Sequence, residues 1–290
     1  MRVLVTGAGG FAGGYVARRL ACLGADVLAV TRHSEVTVPS DKNAAGRFNV
    51  LRADLANSTS LPRTDFIVHA AATSIWSGIT VDQMLIDNVQ ATRALVSQAL
   101  RTEVKGFVYF SSLSTLGDIS SSVVSEDTPS INPDVYGLTK LLGERLLTDV
   151  ANQLPSLSIR LPAVIGPGSK RNWLSECVRK LKAGEPLSYL NPKAYFNNAC
   201  HIEDLTQMIF KWLQHPKSGA DMTMVGAAGR LMVKDIVEHL SASFDAGSEI
   251  QLGTRNLRTF LIDCSYARTN LGYTPMEVSA MLDRFIDENR

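Results

Sequence analysis

A chain of 290 residues with 45% apolar and 20% charged content is long enough for one large domain or two modest ones with a sizeable core. Its net charge of +1 gives no pull towards nucleic acid or an anionic membrane, and no apolar run approaches the ~20 residues of a membrane span. Cys22, Cys177, Cys200 and Cys264 are scattered without zinc-ligand spacing, so no metal is expected; glycines break the N-terminal apolar run by residue 7, against a secretory signal, and a soluble cytoplasmic protein is expected.

The chain opens on an apolar strand, Val3–Thr6, followed by glycines at 7, 9, 10, 13 and 14 and a helical run, Tyr15–Leu23. A buried strand, a glycine turn and a helix N-terminus form a pyrophosphate cradle in which backbone N–H groups and the helix dipole face the anion. Two frames fit: Gly7-x-Gly9-x-x-Ala12 and Gly7-x-x-Gly10-x-x-Gly13, the latter enclosing Phe11 and Ala12. Further strands are predicted at Val27–Thr31, Asn49–Arg52, Phe66–His69, Phe107–Ser111 and Ser158–Leu161, with helices at Met84–Arg101 and Tyr136–Ala151. In Met84–Arg101, Leu85, Val89, Thr92, Leu95, Val96 and Ala99 share helical spacing and read as core. Strands alternating with helices imply right-handed βαβ units. The expected class is therefore α/β, a doubly wound parallel Rossmann sheet with a smaller C-terminal α/β substrate lobe.

Beyond the loop Gly166–Asn172 come a helix at Trp173–Ala183, an irregular stretch, a strand-and-helix unit at His201–His215, a strand at Met222–Val225, a helix at Val233–Phe244, a strand near Phe260–Ile262 and a terminal helix at Ser279–Glu288. The dinucleotide-binding domain is placed at 1–165 and the substrate lobe at 166–290, with 201–225 packing back on the first domain.

At the end of the second strand an acidic residue would accept from the adenosine ribose 2′-OH and favour NAD, whereas an arginine can pair with a 2′-phosphate. Thr31 holds the acidic position and Arg32 follows, which points to NADP(H), with NAD(H) as the alternative and a solvated loop arginine as the reading without function. Lys42 is a further candidate charge. Asp54, after the third strand, can accept from the adenine amino group or cap a helix starting near Asn57. Ala70, Ala71 and Ala72 let the backbone pass close to a cofactor, and His69 before them reads as a packed, hydrogen-bonded histidine. Thr73, Ser74 and Trp76 follow and should face the substrate cleft, where Trp76 is either a stacking partner for a sugar or base or a lobe-packing aromatic.

Ser111–Thr115 closes the fifth strand with hydroxyls, and Tyr136-Gly-Leu-Thr-Lys140 lies downstream. On a helix, residues four apart share a face, so the Lys140 ammonium should stand near the Tyr136 phenol and pull its pKa down from ~10. The trio suits proton transfer coupled to hydride transfer, with Tyr136 as acid/base, Ser112 orienting the carbonyl and Lys140 tuning the phenol and holding the ribose. Ser114 is a second hydroxyl near the substrate. The later motifs favour the Gly7/Gly10/Gly13 frame.

These segments resemble the extended short-chain dehydrogenase/reductase family, which includes nucleotide-sugar epimerases, dehydratases and ketoreductases. The resemblance rests on Thr6-Gly7-x-x-Gly10-x-x-Gly13, Asp54-Leu55, Ala70–Ala72, Asn88, Ser112/Tyr136/Lys140, Arg160-Leu-Pro-Ala-Val-Ile-Gly-Pro-Gly168, His201–Leu205 and Asp263–Ser265 with Leu271–Tyr273. It implies cofactor contacts at Asn88, Leu55 and Pro162 and a homodimer through helices 84–101 and 136–151. Leu113 and Ser114 stand where dehydratases carry an acidic pair, which argues against water elimination. Asn197 stands where the family often has an arginine for the substrate diphosphate, and Ala163 replaces a common asparagine; Asn197 itself and Arg258, with Arg255 as alternative, are the candidate substrate contacts there. The leading expectation is an NADP(H)-dependent reductase of a keto group on a 4-keto nucleotide sugar. The alternatives are an NAD-dependent nucleotide-sugar epimerase and a non-catalytic dinucleotide-binding protein.

Overall fold

The computed structural model describes residues 1–39, 45–57, 61–74, 78–244, 247–255 and 257–290. In chain order the first part runs β1 (Arg2–Thr6), α1 (Phe11–Cys22), β2 (Asp26–Thr31), β3 (Phe48–Arg52), β4 (Phe66–His69), α2 (Val81–Leu85), a π-helical turn (Ile86–Gln90), α3 (Ala91–Arg101), β5 (Gly106–Ser112), a 3-10 turn (Leu113–Leu116), β6 (Val123–Val124), α4 (Val135–Thr148) and β7 (Ser156–Leu161). The second part runs β8 (Ala163–Ile165), α5 (Trp173–Ala183), β9 (Leu187–Tyr189), β10 (Tyr195–Phe196), β11 (Ala199–His201), α6 (Ile202–Gln214), β12 (Ala220–Met224), β13 (Leu231–Met232), α7 (Val233–Phe244), β14 (Ile250–Leu252), β15 (Leu261–Ile262), α8 (Ser265–Asn270) and α9 (Val278–Asp287).

A seven-stranded sheet in the order β12-β7-β5-β4-β1-β2-β3 organises the chain. The β1–β2, β2–β3, β1–β4, β4–β5 and β5–β7 pairs are all parallel. This is the doubly wound Rossmann sheet that the alternating pattern predicts. Val3, Leu4 and Val5 of β1 are wholly buried, as expected of a strand covered on both faces. Strand order reverses on either side of β1, so the carboxyl ends of β1 and β4 flank a topological switch point, where open α/β sheets place their ligands.

The chain divides into two compact units, one of residues 1–118, 129–161 and 206–223 and the other of residues 119–128, 162–205 and 224–290. Residues 119–128 fall inside the span read from sequence as the first domain, yet they belong to the second unit, where β6 pairs with β15 in parallel. A two-residue strand whose partner lies far along the chain leaves no periodicity to read. The second unit has its own core, built on Leu174, Val178 and Leu181 of α5, Ile236 and Leu240 of α7, and Leu282 and Phe285 of α9.

The helix expected over Met84–Arg101 is interrupted by the π-helical turn. An i→i+5 turn inserts one residue and rotates everything N-terminal to it. Leu85 is consequently 40% exposed and Val89 half-buried, against the expectation that both are core, while Thr92, Leu95, Val96 and Ala99 are buried as expected.

Candidate active site

The glycine turn between β1 and α1 takes its shape from close backbone approach. Gly7 has φ +68°, and a Cβ there would lie 2.7 Å from the Ala71 nitrogen. A Cβ on Gly13 would collide with the Gly7 carbonyl. Gly10 caps α1 in an extended conformation, and no acidic residue occupies the first turn, which holds Phe11 and Ala12. The resulting N-terminus carries free donors and a favourable dipole for an anion. A cradle that side chains would fill, at the switch point of a parallel sheet, fits a dinucleotide pyrophosphate.

One cleft gathers Gly7, Gly9, Gly10, Thr31, Arg32, His33, Ser34, Asp54, Leu55, Ala70, Ala71, Ala72, Thr73 and Asp87. Most of the residues assigned to the cofactor from sequence therefore share one wall, and Thr73, assigned to the substrate, joins them. Asp54 accepts from the Ala56 N–H (3.2 Å) and the Asn57 side-chain amide (2.8 Å). The carboxylate shapes a turn on the cleft wall, and the segment that a helix from Asn57 would enter lies outside the described residues. The Thr31 hydroxyl donates to the Ser34 carbonyl at 2.9 Å, which fixes the loop after β2. Arg32 does not stand free in solvent. Its two terminal nitrogens donate to the two oxygens of Asp87 at 2.6 and 3.1 Å. Lys42 and Trp76 lie outside the described residues.

Ser112, Tyr136 and Lys140, the candidate proton-transfer trio, also lie in the first unit. Asp134 caps α4 by accepting from the Gly137 N–H at 2.7 Å. A Cβ on Gly137 would collide with the Ser114 carbonyl, so glycine lets the start of α4 approach the end of β5. The Ser112 hydroxyl donates to Ser114 Oγ (3.2 Å) and accepts from the Ser114 N–H (3.1 Å), and it stands near enough to Tyr136 to favour the phenolate. Lys140 Nζ donates to the Phe110 carbonyl at 2.7 Å and lies 5.9 Å from the centroid of the Tyr136 ring. The i,i+4 spacing brings Lys140 beside Tyr136 as expected, but the phenol is not pulled down as expected. Burial, with the Asp134 charge, pushes the Tyr136 phenol up to about 12, against the pull of Ser112. Burial likewise drops Lys140 to about 7, and only the charge of Glu144 opposes that shift. Tyr136 is accordingly a protonated acid at neutral pH.

Asn88 is buried, and its amide is committed to its neighbours. Its Oδ1 accepts from the Thr73 N–H (2.8 Å), and its Nδ2 donates to the Thr73 carbonyl (2.8 Å) and to Thr139 Oγ1 (3.0 Å). It positions the Thr73 loop against α4. His69 is wholly buried between Thr6 Oγ1 (2.7 Å) and Thr92 Oγ1 (2.9 Å), and burial lowers its pKa to about 3, so it is neutral as expected of a packed histidine. Behind Lys140, Glu144 receives two hydrogen bonds from Arg160 (2.9 and 2.8 Å) and one from Ser111 (2.5 Å), a buried ion pair that the sequence reading missed.

Pro162, Asn197 and Arg258 belong to the second unit. Asn197 is corrected outright as a substrate contact. Its amide donates to the Ile262 carbonyl and accepts from the Ile262 N–H, both at 2.8 Å, and only 6% of the residue is exposed. Arg258 is exposed and lines a hollow with Ser120, Ser121 and Ser122. Ser74 is half-buried beside Thr73. Among the described residues no cluster of metal-ligating side chains occurs, and no helix is long and apolar enough to cross a membrane.

A glycine cradle on a parallel sheet, with a half-buried phenol and a buried amine on the helix after its fifth strand, is the framework of a nicotinamide-dependent enzyme of the short-chain dehydrogenase/reductase class. The chain belongs to the NAD dependent epimerase/dehydratase family, whose sequence model it matches over residues 3–226, and is thus an enzyme of the extended short-chain type. It is 24% identical to UDP-glucose 4-epimerase of Vibrio cholerae over 94% of this chain and 90% of that protein. It is 25% identical to dTDP-4-dehydro-6-deoxy-D-allose reductase of a Streptomyces species over 78% of this chain and 76% of the relative. The fold superposes on MoeE5 in complex with UDP-glucuronic acid and NAD with a TM-score of 0.85 and 25% identity, covering 100% of this chain and 99% of the other.

Proposed function

We propose that this chain reduces a keto group on a nucleotide sugar, a 4-keto sugar in the first instance, with NADPH as the hydride donor. The observation that carries the proposal is the state of Tyr136: a phenol held protonated by burial, near Ser112 at the carboxyl end of β5. Carbonyl reduction needs an acid that is loaded before turnover. A bound nicotinamide supplies the hydride. Ser112 orients the carbonyl oxygen by donating to it, and Tyr136 gives that oxygen its proton as negative charge develops. Lys140, a turn away, stabilises the phenolate that remains, and Asp134 opposes it, which favours rapid reprotonation. Gly7, Gly10, Gly13 and the first turn of α1 would hold the pyrophosphate, Asp54 and Leu55 the adenine, Ala70–Ala72 the dinucleotide backbone and Arg32 the 2′-phosphate. Leu113 and Ser114 in place of an acidic pair leave no group for dehydration.

The sugar class is carried over from the Vibrio epimerase and the Streptomyces reductase, whose names both specify position 4. We assign the sugar nucleotide to the second unit, with Arg258 and the neighbouring serines as its anion contact. A homodimer is supported by Val81 and Leu85 of α2 and Ile86 of the π-helical turn together with Val135, Leu138 and Leu142 of α4, exposed apolar residues on packed elements. The four cysteines are unpaired, in keeping with a reducing cytoplasm.

A second reading, a 4-epimerase that retains NAD, is favoured by the neutralisation of Arg32 by Asp87 and by the NAD in the MoeE5 complex. The test follows NADPH absorbance with a panel of 4-keto nucleotide sugars. The Tyr136→Phe variant should lose roughly 10²–10⁴ in kcat. Protein that purifies with stoichiometric NAD and interconverts sugars without added cofactor would replace the reductase reading with the epimerase.

A further inference from the structure

Arg32 and Asp87 are 55 residues apart in sequence and form one ion pair on the wall of the cofactor cleft. We propose that Asp87 is a specificity-determining residue: by clamping Arg32 it limits how strongly the chain prefers a 2′-phosphorylated dinucleotide, so that both NAD(H) and NADP(H) are accepted. The inference rests on the reading of Arg32 as the 2′-phosphate contact.

The clamp is built, and its partners are all fixed. Asp87 takes both terminal nitrogens of Arg32, the Thr73 hydroxyl at 2.6 Å and the Gln83 amide at 2.9 Å. Its side chain is only 6% exposed, against 40% for Arg32. Burial works against the carboxylate, but the hydrogen bonds from Arg32, Thr73 and Gln83 outweigh it and hold Asp87 below the usual carboxylate range, so it stays charged. The π-helical turn at Ile86–Gln90 makes the placement possible. It sends Asp87 to the cleft while its neighbour Asn88 is buried on the Thr73 backbone and Thr139. Functional sites often sit on such turns.

The consequence follows from charge. A guanidinium has five N–H donors, and the bidentate pair takes two of them, so Arg32 can still reach a phosphate. It does so with its charge already balanced, on a wall whose full charges, among the described residues, are Arg32, Asp54 and Asp87. Among these one cation faces two carboxylates, and Thr31 adds no charge. A 2′-phosphate dianion therefore gains less than a free arginine would offer, whereas the uncharged ribose 2′-OH of NAD is not penalised.

The experiment measures dissociation constants of the whole chain for NAD⁺ and NADP⁺ and compares their ratio in wild type, Asp87→Asn, Arg32→Ala and the double variant. Asp87→Asn should shift the ratio towards NADP⁺ by roughly tenfold, the scale of one charge-assisted hydrogen bond. In the Arg32→Ala background the same substitution should shift it little, because Asp87 acts through Arg32. Asp87→Ser, which also removes the charge, serves if the asparagine variant does not fold. An unchanged ratio in Asp87→Asn, or an equal shift without Arg32, overturns the inference. A wild type that binds NAD⁺ more tightly overturns the NADPH assignment alone, since the shift caused by Asp87→Asn is read separately.

Discussion

Replacing Lys140 by methionine should make the protein more stable and enzymatically poor. Lys140 is 2% exposed, and burial brings its pKa from 10.5 to about 7. The unfolded chain keeps the amine charged up to its ordinary value, while the folded chain releases the proton above about 7. Between these values unfolding takes up a proton, so folding stability rises with pH across that window, and below it the full penalty applies. At ~1.4 kcal/mol per pH unit the penalty is about 5 kcal/mol at pH 6 and about 2 kcal/mol at pH 9. Methionine removes it, fills a similar volume, and leaves the neutral Glu144–Arg160 pair intact. Losing the hydrogen bond to the Phe110 carbonyl gives back about 1–3 kcal/mol.

The net expectation at pH 6 is therefore a gain of about 2–4 kcal/mol, narrowing by about 3 kcal/mol at pH 9 as the wild type catches up. Urea unfolding of both proteins at the two pH values measures this, with equal m-values as the check that the transitions are comparable. Turnover should fall, because the phenolate left after proton transfer loses its stabilising charge. A variant that is less stable at both pH values, or a gap that does not change with pH, would refute the electrostatic account of Lys140.

The Asp134→Asn change keeps an N-cap for α4 but removes the charge that raises Tyr136, so the tyrosinate midpoint in an ultraviolet titration should move down while stability holds; an upward or absent shift would contradict the assignment. For Asn197→Ala, the Ile262 N–H and carbonyl lose their buried partners, and a destabilisation of about 2–5 kcal/mol is expected in chemical denaturation. The sugar-nucleotide KM of the folded fraction should stay constant, whereas a raised KM at unchanged stability would return Asn197 to the substrate.

What the sequence shows clearly is what local geometry compels. The glycines at 7 and 13 are dictated by a positive φ and by backbone packed against backbone, so they are legible within a dozen residues. The buried strands of the large sheet read as apolar runs because both of their faces are covered. The pairs β6–β15 and β10–β13 are two residues long and joined across distant segments, and they leave no such trace. Asn197 shows a subtler failure. Its position was read through an arginine it lacks, while its own amide fastens Ile262 in place. The Tyr136–Lys140 spacing was likewise correct and its electrostatic reading wrong, because i,i+4 spacing gives proximity but not depth of burial.

The same limit explains why the cradle and the phenol, so distant in sequence, form one rigid site. The Thr92 hydroxyl donates to the Asn88 carbonyl at 2.5 Å, so it must accept from His69 Nε2–H, which leaves Nδ1 to accept from the Thr6 hydroxyl. Thr6 in turn accepts from the Ala71 N–H that crosses Gly7. On the far side, the Asn88 amide donates to Thr139 Oγ1, which donates to the Tyr136 carbonyl at 2.7 Å. Every donor along this line has an acceptor, and the polarity is unique only if His69 is neutral, which its burial enforces. Such a fully satisfied buried network fixes geometry more than it adds stability. A charged His69 would need a second acceptor at Nδ1, so the Thr6 hydroxyl would have to turn its proton away from the ring and find another acceptor for it. One uncharged imidazole therefore links the glycine turn to the first turn of α4 through buried hydrogen bonds, a tie that reading the histidine only as a packed residue does not reveal.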